Sequence, residues 1–257
     1  MYNDAFVLGG MGVVGKATMR ALGIPYYFDS KGSNLDLNEG AKKKWCFICL
    51  PTPNDANGEQ GKAIEVIRDY VKQIHSLGNC IFVIRSTVIP GTCRAITQMT
   101  GAIVCSNPEF LTEATADADA IKPRMIVTGS DFPPASRELN ELWTRVPTKL
   151  RINTDTVTAE IIKYTHNLFA ITKIVFANQI YDACALVGAD YMAVHKFLHN
   201  HPWGSKHHFE VIHQGGRGAG GRCFPKDLKA FAQWSNLDFF KQLEVMNNHY
   251  LQSTHKG

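Results

Sequence analysis

The 257 residues include 45% hydrophobic and 19% charged side chains, with 21 Gly and 11 Pro. That is material for one large globular domain or two modest ones, and it excludes a disordered tail, a collagen repeat and a coiled coil. Twenty-seven basic against 23 acidic side chains leave a net charge of +4, too small and too dispersed to predict nucleic-acid binding.

No apolar run reads as a membrane span; residues 45–50 are among the longest, and they are strand-sized. Met1, Tyr2, Asn3 and Asp4 lack a basic stretch followed by an apolar signal core, so a soluble, unexported, cytoplasmic protein is expected. Seven irregularly spaced cysteines fit a reducing compartment. Cys46 and Cys49 form a C-x-x-C inside an apolar run, with no second pair and no finger-spaced histidines. Buried strand thiols are expected there, and no metal site.

Along the first half, short apolar runs alternate with helical patterns, as in a parallel α/β sheet. The predicted strands are 5–8, 25–28, 45–50, 80–84, 102–105 and 125–128. A helix is predicted at 13–22. In 61–78, Ile64, Ile67, Val71 and Ile74 are spaced 3, 4 and 3 apart and give another helix one apolar face. The period changes near residue 150, which predicts a domain boundary at 147–154. Thr154 and Asp155 offer a cap to a long helix over 156–186, free of Pro and Gly. A loop rich in Trp, His and Gly fills 199–221. Helix is predicted again from Pro225 to near the end.

Gly10, Gly12 and Gly15 form a G-x-G-x-x-G with Met11, Val13 and Val14 between them. A bare match is weak evidence. Here a strand precedes it, a helix follows, and an acid, Asp29, ends the next strand 19 residues after Gly10. Those are the contexts that dinucleotide binding demands. Gly10 is read as the tight turn, Gly12 as the point of approach to the pyrophosphate, and Gly15 as the close helix–strand contact. The helix start then faces the phosphates and Asp29 accepts from the ribose hydroxyls. Asp29 repels a 2′-phosphate, favouring NAD over NADP, although Lys31 two residues on opposes that preference.

Residues 215–227 read Gly-Gly-Arg-Gly-Ala-Gly-Gly-Arg-Cys-Phe-Pro-Lys-Asp. Pro225 suits the first position of a helix and Asp227 its first turn. Cys223 then sits just before a helix N-terminus, beside Arg222 and Lys226, where positive potential stabilises a thiolate. The local sequence alone leaves two readings open. One is a reactive thiol; the other is a phosphate-binding loop with an incidental cysteine.

Several segments, in order, resemble the UDP-glucose/GDP-mannose dehydrogenase family. They are the 10–15 glycines, Leu50-Pro51-Thr52-Pro53, Arg85-Ser86-Thr87-Val88-Ile89-Pro90-Gly91-Thr92, and Asn107-Pro108-Glu109-Phe110-Leu111-Thr112-Glu113. Ala159-Glu160-Ile161-Ile162-Lys163-Tyr164-Thr165-His166-Asn167 and Gly220-Gly221-Arg222-Cys223-Phe224-Pro225-Lys226-Asp227 complete the set. The resemblance implies a Rossmann-type, mostly parallel α/β sheet over 1–150, followed by a helical central domain over 151–257. It also implies NAD, a nucleotide-sugar substrate, and a homodimer through the central helices. The family oxidises a primary alcohol to a uronate by two hydride transfers.

By that resemblance Cys223 captures the aldehyde as a thiohemiacetal, which becomes a thioester and is cleaved by water. Lys163 and Asn167, four apart on one helix face, are implied as oxyanion donors. Asp227, Glu109 and Thr87 are implied to orient or deprotonate water. Pro51, Thr52, Thr87 and Glu113 fall at cofactor positions, while Phe110, Leu111 and Gly220 fall near the sugar.

The chain also departs from the family pattern. Only about fifteen residues separate Asp29 from the strand at Trp45, so the Rossmann half is expected to be trimmed there. The sequence reaches Gly257 where relatives continue towards a second α/β domain that holds much of the nucleotide. Arg222, Thr112 and Ala219 replace the family's usual residues. Arg222, Arg217 and the loop 199–213 are therefore candidates to supply phosphate contacts. A two-electron dehydrogenase of a smaller alcohol and a non-catalytic dinucleotide-binding member are the alternative readings.

Overall fold

The computed structural model describes residues 2–112, 115–202, 204 and 207–253. They fall into two compact units. Unit one comprises 1–55 and 60–163, and unit two comprises 56–59 and 164–257.

Unit one is a seven-stranded α/β sheet in the order β2-β1-β3-β4-β5-β6-β7. Its strands are β1 (Ala5–Leu8), β2 (Tyr26–Phe28), β3 (Trp45–Ile48), β4 (Ile81–Ile84), β5 (Val104–Ser106), β6 (Met125–Gly129) and β7 (Leu150–Thr154). All neighbours pair in parallel except β5 and β6, which are antiparallel and share a single register pair, Ser106 with Gly129. β1 and β3 are buried along their whole length, which is why they read as unbroken apolar runs. Phe6, Leu8, Cys46 and Ile48 enter one core layer, and Ala5, Val7, Trp45 and Phe47 the other.

Helix α1 (Val13–Leu22) follows β1 as the sequence predicts. α3 (Gly61–Leu77) buries Ile67, Val71 and Ile74, with Ala63 rather than Ile64 completing the stripe. The fifteen-residue stretch after Asp29 holds one short helix, α2 (Leu37–Ala41), with Asp36 capping Glu39, so β2 is the edge strand. The remaining helices of the unit are α4 (Thr92–Thr100), α5 (Ala116–Ile121) and α6 (Pro133–Trp143). β7 is not anticipated by the sequence reading. Its Leu150 and Arg151 are exposed and its short alternation is masked by polar residues.

Helix α7 (Thr156–Val187) begins where its cap predicts and runs 32 residues, starting in unit one and continuing in unit two. By length and composition it could cross a membrane, contrary to the sequence expectation. Its polar side chains account for this in another way. Glu160, Lys163, Asn167 and Asn178 are buried and each bonds within its own unit, as in the core helix of a folded domain.

Unit two adds α8 (Tyr191–Asn200), a hairpin of β8 (Ile212–His213) and β9 (Gly216–Arg217), α9 (Phe224–Ser235) and α10 (Asp238–Ser253). The hairpin lies inside the stretch expected to be loop, because its strands are only two residues each. α9 starts at Phe224, so Pro225 is not its first residue, and Cys223 is its N-cap.

Candidate active site

In unit one the glycine loop forms a cradle at the end of β1. The left-handed residue is Gly9 (φ 87°), one position before the glycine expected to make the turn. A Cβ on Gly15 would lie 2.2 Å from the Gly9 carbonyl oxygen, so the predicted close helix–strand contact is present. Gly12 is the N-cap of α1, and Met11 and Val13 are exposed beside it. The loop therefore offers a helix start and an open backbone, the features a pyrophosphate requires.

Asp29 accepts from the Met11 amide and from the Lys31 amide, each at 3.0 Å, on different carboxylate oxygens. Each oxygen keeps a lone pair for a ribose hydroxyl. Across the switch point, where β1 and β3 adjoin, Thr52 donates its hydroxyl to the Thr87 carbonyl at 2.7 Å, and Pro51 is exposed beside it. Glu113, the remaining expected cofactor residue, lies outside the described residues.

The same unit carries a buried ion pair. Lys163 Nζ lies 3.2 Å from Glu109 Oε1, with side-chain exposures of 7% and 14%. The other oxygen, Oε2, accepts from the Leu111 amide at 2.6 Å, and the ammonium lies 5.4 Å from the centre of the Phe110 ring. Four of the expected residues thus meet in one cluster.

Unit two holds the thiol. Of the seven cysteines, none in a disulfide, six are buried and Cys223 is exposed. Burial pushes the Cys49 and Cys105 thiols up to about 11 and Cys80 to about 12, as expected of inert core sulfurs. At the cap of α9, the Cys223 carbonyl accepts the Asp227 amide at 2.9 Å. Asp227 is buried; its Oδ2 accepts from Asn167 Nδ2 at 2.6 Å and its Oδ1 pairs with Lys226 at 2.6 Å. The Lys226 charge expected to favour the thiolate is therefore balanced by Asp227. Gly220 is half-buried, and a Cβ there would find only ordinary contacts.

Arg217 is not available for phosphate. Its guanidinium pairs with Asp182 at 2.6 Å, donates to Asn178, and lies over the Tyr181 and Tyr250 rings. Arg222 is exposed. Sequence reading also passed over Asn247, whose amide group bonds both the N–H and the C=O of Ala219 and so fixes the approach to Cys223. Glu160 was missed as well: it accepts the Gly91 and Cys93 amides at the start of α4. A polar residue on the apolar face of a helix was the available signal for both.

His208 and His213 pack around Phe224, the first residue of α9. Burial lowers His208 from 6.5 to about 4, helped by Lys173 and His213, and burial also lowers His213. His208 is then neutral in the fold at pH 7, and its contribution to stability is full above about pH 6.5 and lost as pH falls towards 4, with His213 shifted in the same direction. His208→Asn, which tolerates the φ of 71° at this position, should flatten that slope. Urea denaturation at pH 7 and pH 5 measures it, and equal slopes in both proteins would exclude His208 as the cause.

A glycine loop at a helix start, with an acid at the end of the next strand bonded back to that loop, defines a Rossmann-type dinucleotide-binding unit. Residues 33–147 match the NAD binding domain of the UDP-glucose/GDP-mannose dehydrogenase family, and residues 157–249 match its central domain. The chain belongs to that family. It is 35% identical over 218 residues to UDP-glucose 6-dehydrogenase YwqF of Bacillus subtilis, covering 79% of this chain and 48% of that protein. It is 32% identical over 207 residues to UDP-glucose 6-dehydrogenase of Rickettsia conorii, covering 78% and 46%. A solved UDP-glucose dehydrogenase from Pyrobaculum islandicum superimposes with a TM-score of 0.81 at 25% identity, covering 96% of this chain and 68% of that one. The chain spans about half the length of the curated relatives it matches.

Proposed function

We propose that the chain takes part in NAD-dependent oxidation of a nucleotide sugar, UDP-glucose or a similar one, to its uronate, with residues 1–150 as the NAD-binding domain and 151–257 as the central domain. The observation that carries the reading is Cys223, the exposed sulfur among seven, seated at a helix start in a unit that also holds buried Asp227 and Asn167. The Gly10–Gly15 loop and Asp29 would hold NAD, which would supply the hydride acceptor for each of the two oxidations. The Cys223 thiolate adds to the aldehyde carbon left by the first, giving a thiohemiacetal. Loss of its hydride leaves a thioester, and water displaces the thiol to release the carboxylate. Lys163 and Asn167 donate to the developing oxyanions. Asp227, Glu109 and Thr87 orient or deprotonate water, and Phe110, Leu111 and Gly220 face the sugar.

The test is a count of NADH per sugar consumed across UDP-glucose, UDP-N-acetylhexosamines and GDP-mannose. The expected ratio is two, with NAD preferred over NADP, a preference that Asp29→Ser relaxes. One NADH per sugar supports a two-electron dehydrogenase instead, and none supports a dinucleotide-binding member without turnover.

Two copies are proposed to pair through α7, on which Phe169, Phe176, Tyr181 and Leu186 are exposed. Sedimentation velocity should show a dimer that Phe176→Asp shifts to monomer; a wild-type monomer at all concentrations rejects the pairing. The free thiols fit a cytoplasmic setting.

A further inference from the structure

Arg85 opens the Arg-Ser-Thr segment after β4, and no role above uses its side chain. It is 6% exposed, among the most deeply buried cations of the chain. Its Nη1 donates to both the carbonyl and the side-chain oxygen of Asn107, and its guanidinium lies 4.9 Å over the Trp143 ring. Its Nε finds no hydrogen-bond partner among the described residues. Burial lowers its pKa from the ordinary value, while neighbouring Cys49 and Glu109 oppose that shift.

Asn107 in turn reaches across the sheet. Its Nδ2 donates to the Val127 carbonyl of β6 at 2.6 Å, and its own amide donates to Ile84 of β4 at 2.9 Å. This is where β5 and β6 share one register pair. The ladder that elsewhere fixes strand ends is nearly absent here, and the Arg85–Asn107–Val127 chain of bonds stands in for it. Pro108, Glu109, Phe110 and Leu111 leave from this clamp, and Arg85, Glu109, Phe110 and Trp143 line one cleft.

A buried cation so placed needs a purpose, because an apolar residue would fill the same space without a desolvation cost. We infer that Arg85 is a positioning residue, which acts through Asn107 to hold the 107–111 segment and so aims Glu109, Phe110 and Leu111. The kinetic part of this inference rests on the dehydrogenase reading; the structural part does not. Lysine is not equivalent, since a point charge loses the planar contact with Trp143 and cannot share donors in the same way.

Hydrogen–deuterium exchange on the full chain, comparing wild type with Arg85→Met, Arg85→Lys and Asn107→Ala, tests the structural part. Amides of Asn107 and of 109–111 should exchange about tenfold faster in Arg85→Met and Asn107→Ala, with α3 amides unchanged. Unchanged exchange at 107–111, or an equal rise over α3, overturns the inference. If Arg85→Met does not fold, Arg85→Lys and Asn107→Ala decide.

Steady-state kinetics supply the second reading. The KM for NAD should stay within about twofold, while kcat/KM for the sugar nucleotide falls about thirtyfold in Arg85→Met and less in Arg85→Lys. Equal losses on both substrates would overturn the positioning role. A wild-type chain without turnover removes the dehydrogenase reading alone, because the exchange measurement still decides what Arg85 holds.

Discussion

Cys223→Ala is expected to lower uronate formation by about a thousandfold or more while leaving NAD affinity unchanged. The physical reason is that water is a poor nucleophile and cannot replace a thiolate in retaining the aldehyde for a second oxidation. Cys223 is exposed at the cap of α9 and supports no core packing, so its truncation should leave the fold intact. Isothermal titration with NAD and a uronate assay make the two measurements. Wild-type uronate formation by Cys223→Ala would remove the covalent route. Cys223→Ser, which keeps a hydroxyl of ordinary basicity, should be almost as slow as alanine.

The second large effect is expected at Lys163. Its ammonium and the Glu109 carboxylate are both nearly buried, and Glu109 also accepts the Leu111 amide. Lys163→Met leaves that carboxylate without its counter-ion, which should destabilise the chain by about 3 kcal/mol. Replacing both members of the pair, Lys163→Met with Glu109→Leu, should recover part of that loss, because the unpaired carboxylate is gone, while buried Arg85 nearby loses the Glu109 charge. Activity should not recover, since both proposed contributors to the chemistry are gone. Urea denaturation and turnover of the single and double variants separate the two roles. A double variant as active as the wild type would show that the pair is structural only.

Much of this was legible in the chain. β1, α1 and α3 stand where the apolar periods place them, because short buried strands and amphipathic helices leave strong local patterns. The glycine loop was readable from its context, although the left-handed turn falls on Gly9 rather than Gly10. What could not be read were interactions distant in sequence. Asn107 looks like a loop residue until β4 and β6 are brought to either side of it. Arg217 looks like a phosphate ligand until Asp182, Tyr181 and Tyr250 enclose it. Strand β7 and the two-residue hairpin strands escaped for a different reason, being too short or too polar to show a period.

The distribution of sulfur has a chemical consequence beyond catalysis. Six thiols lie in the interior, and for most of them burial raises the pKa, so peroxides and electrophiles find little thiolate there. The exposed sulfur at the start of α9 is left as the main target of oxidative chemistry in the folded chain. Modification of that one sulfur would therefore remove the proposed thiol chemistry while leaving the six interior thiols, and the packing around them, untouched.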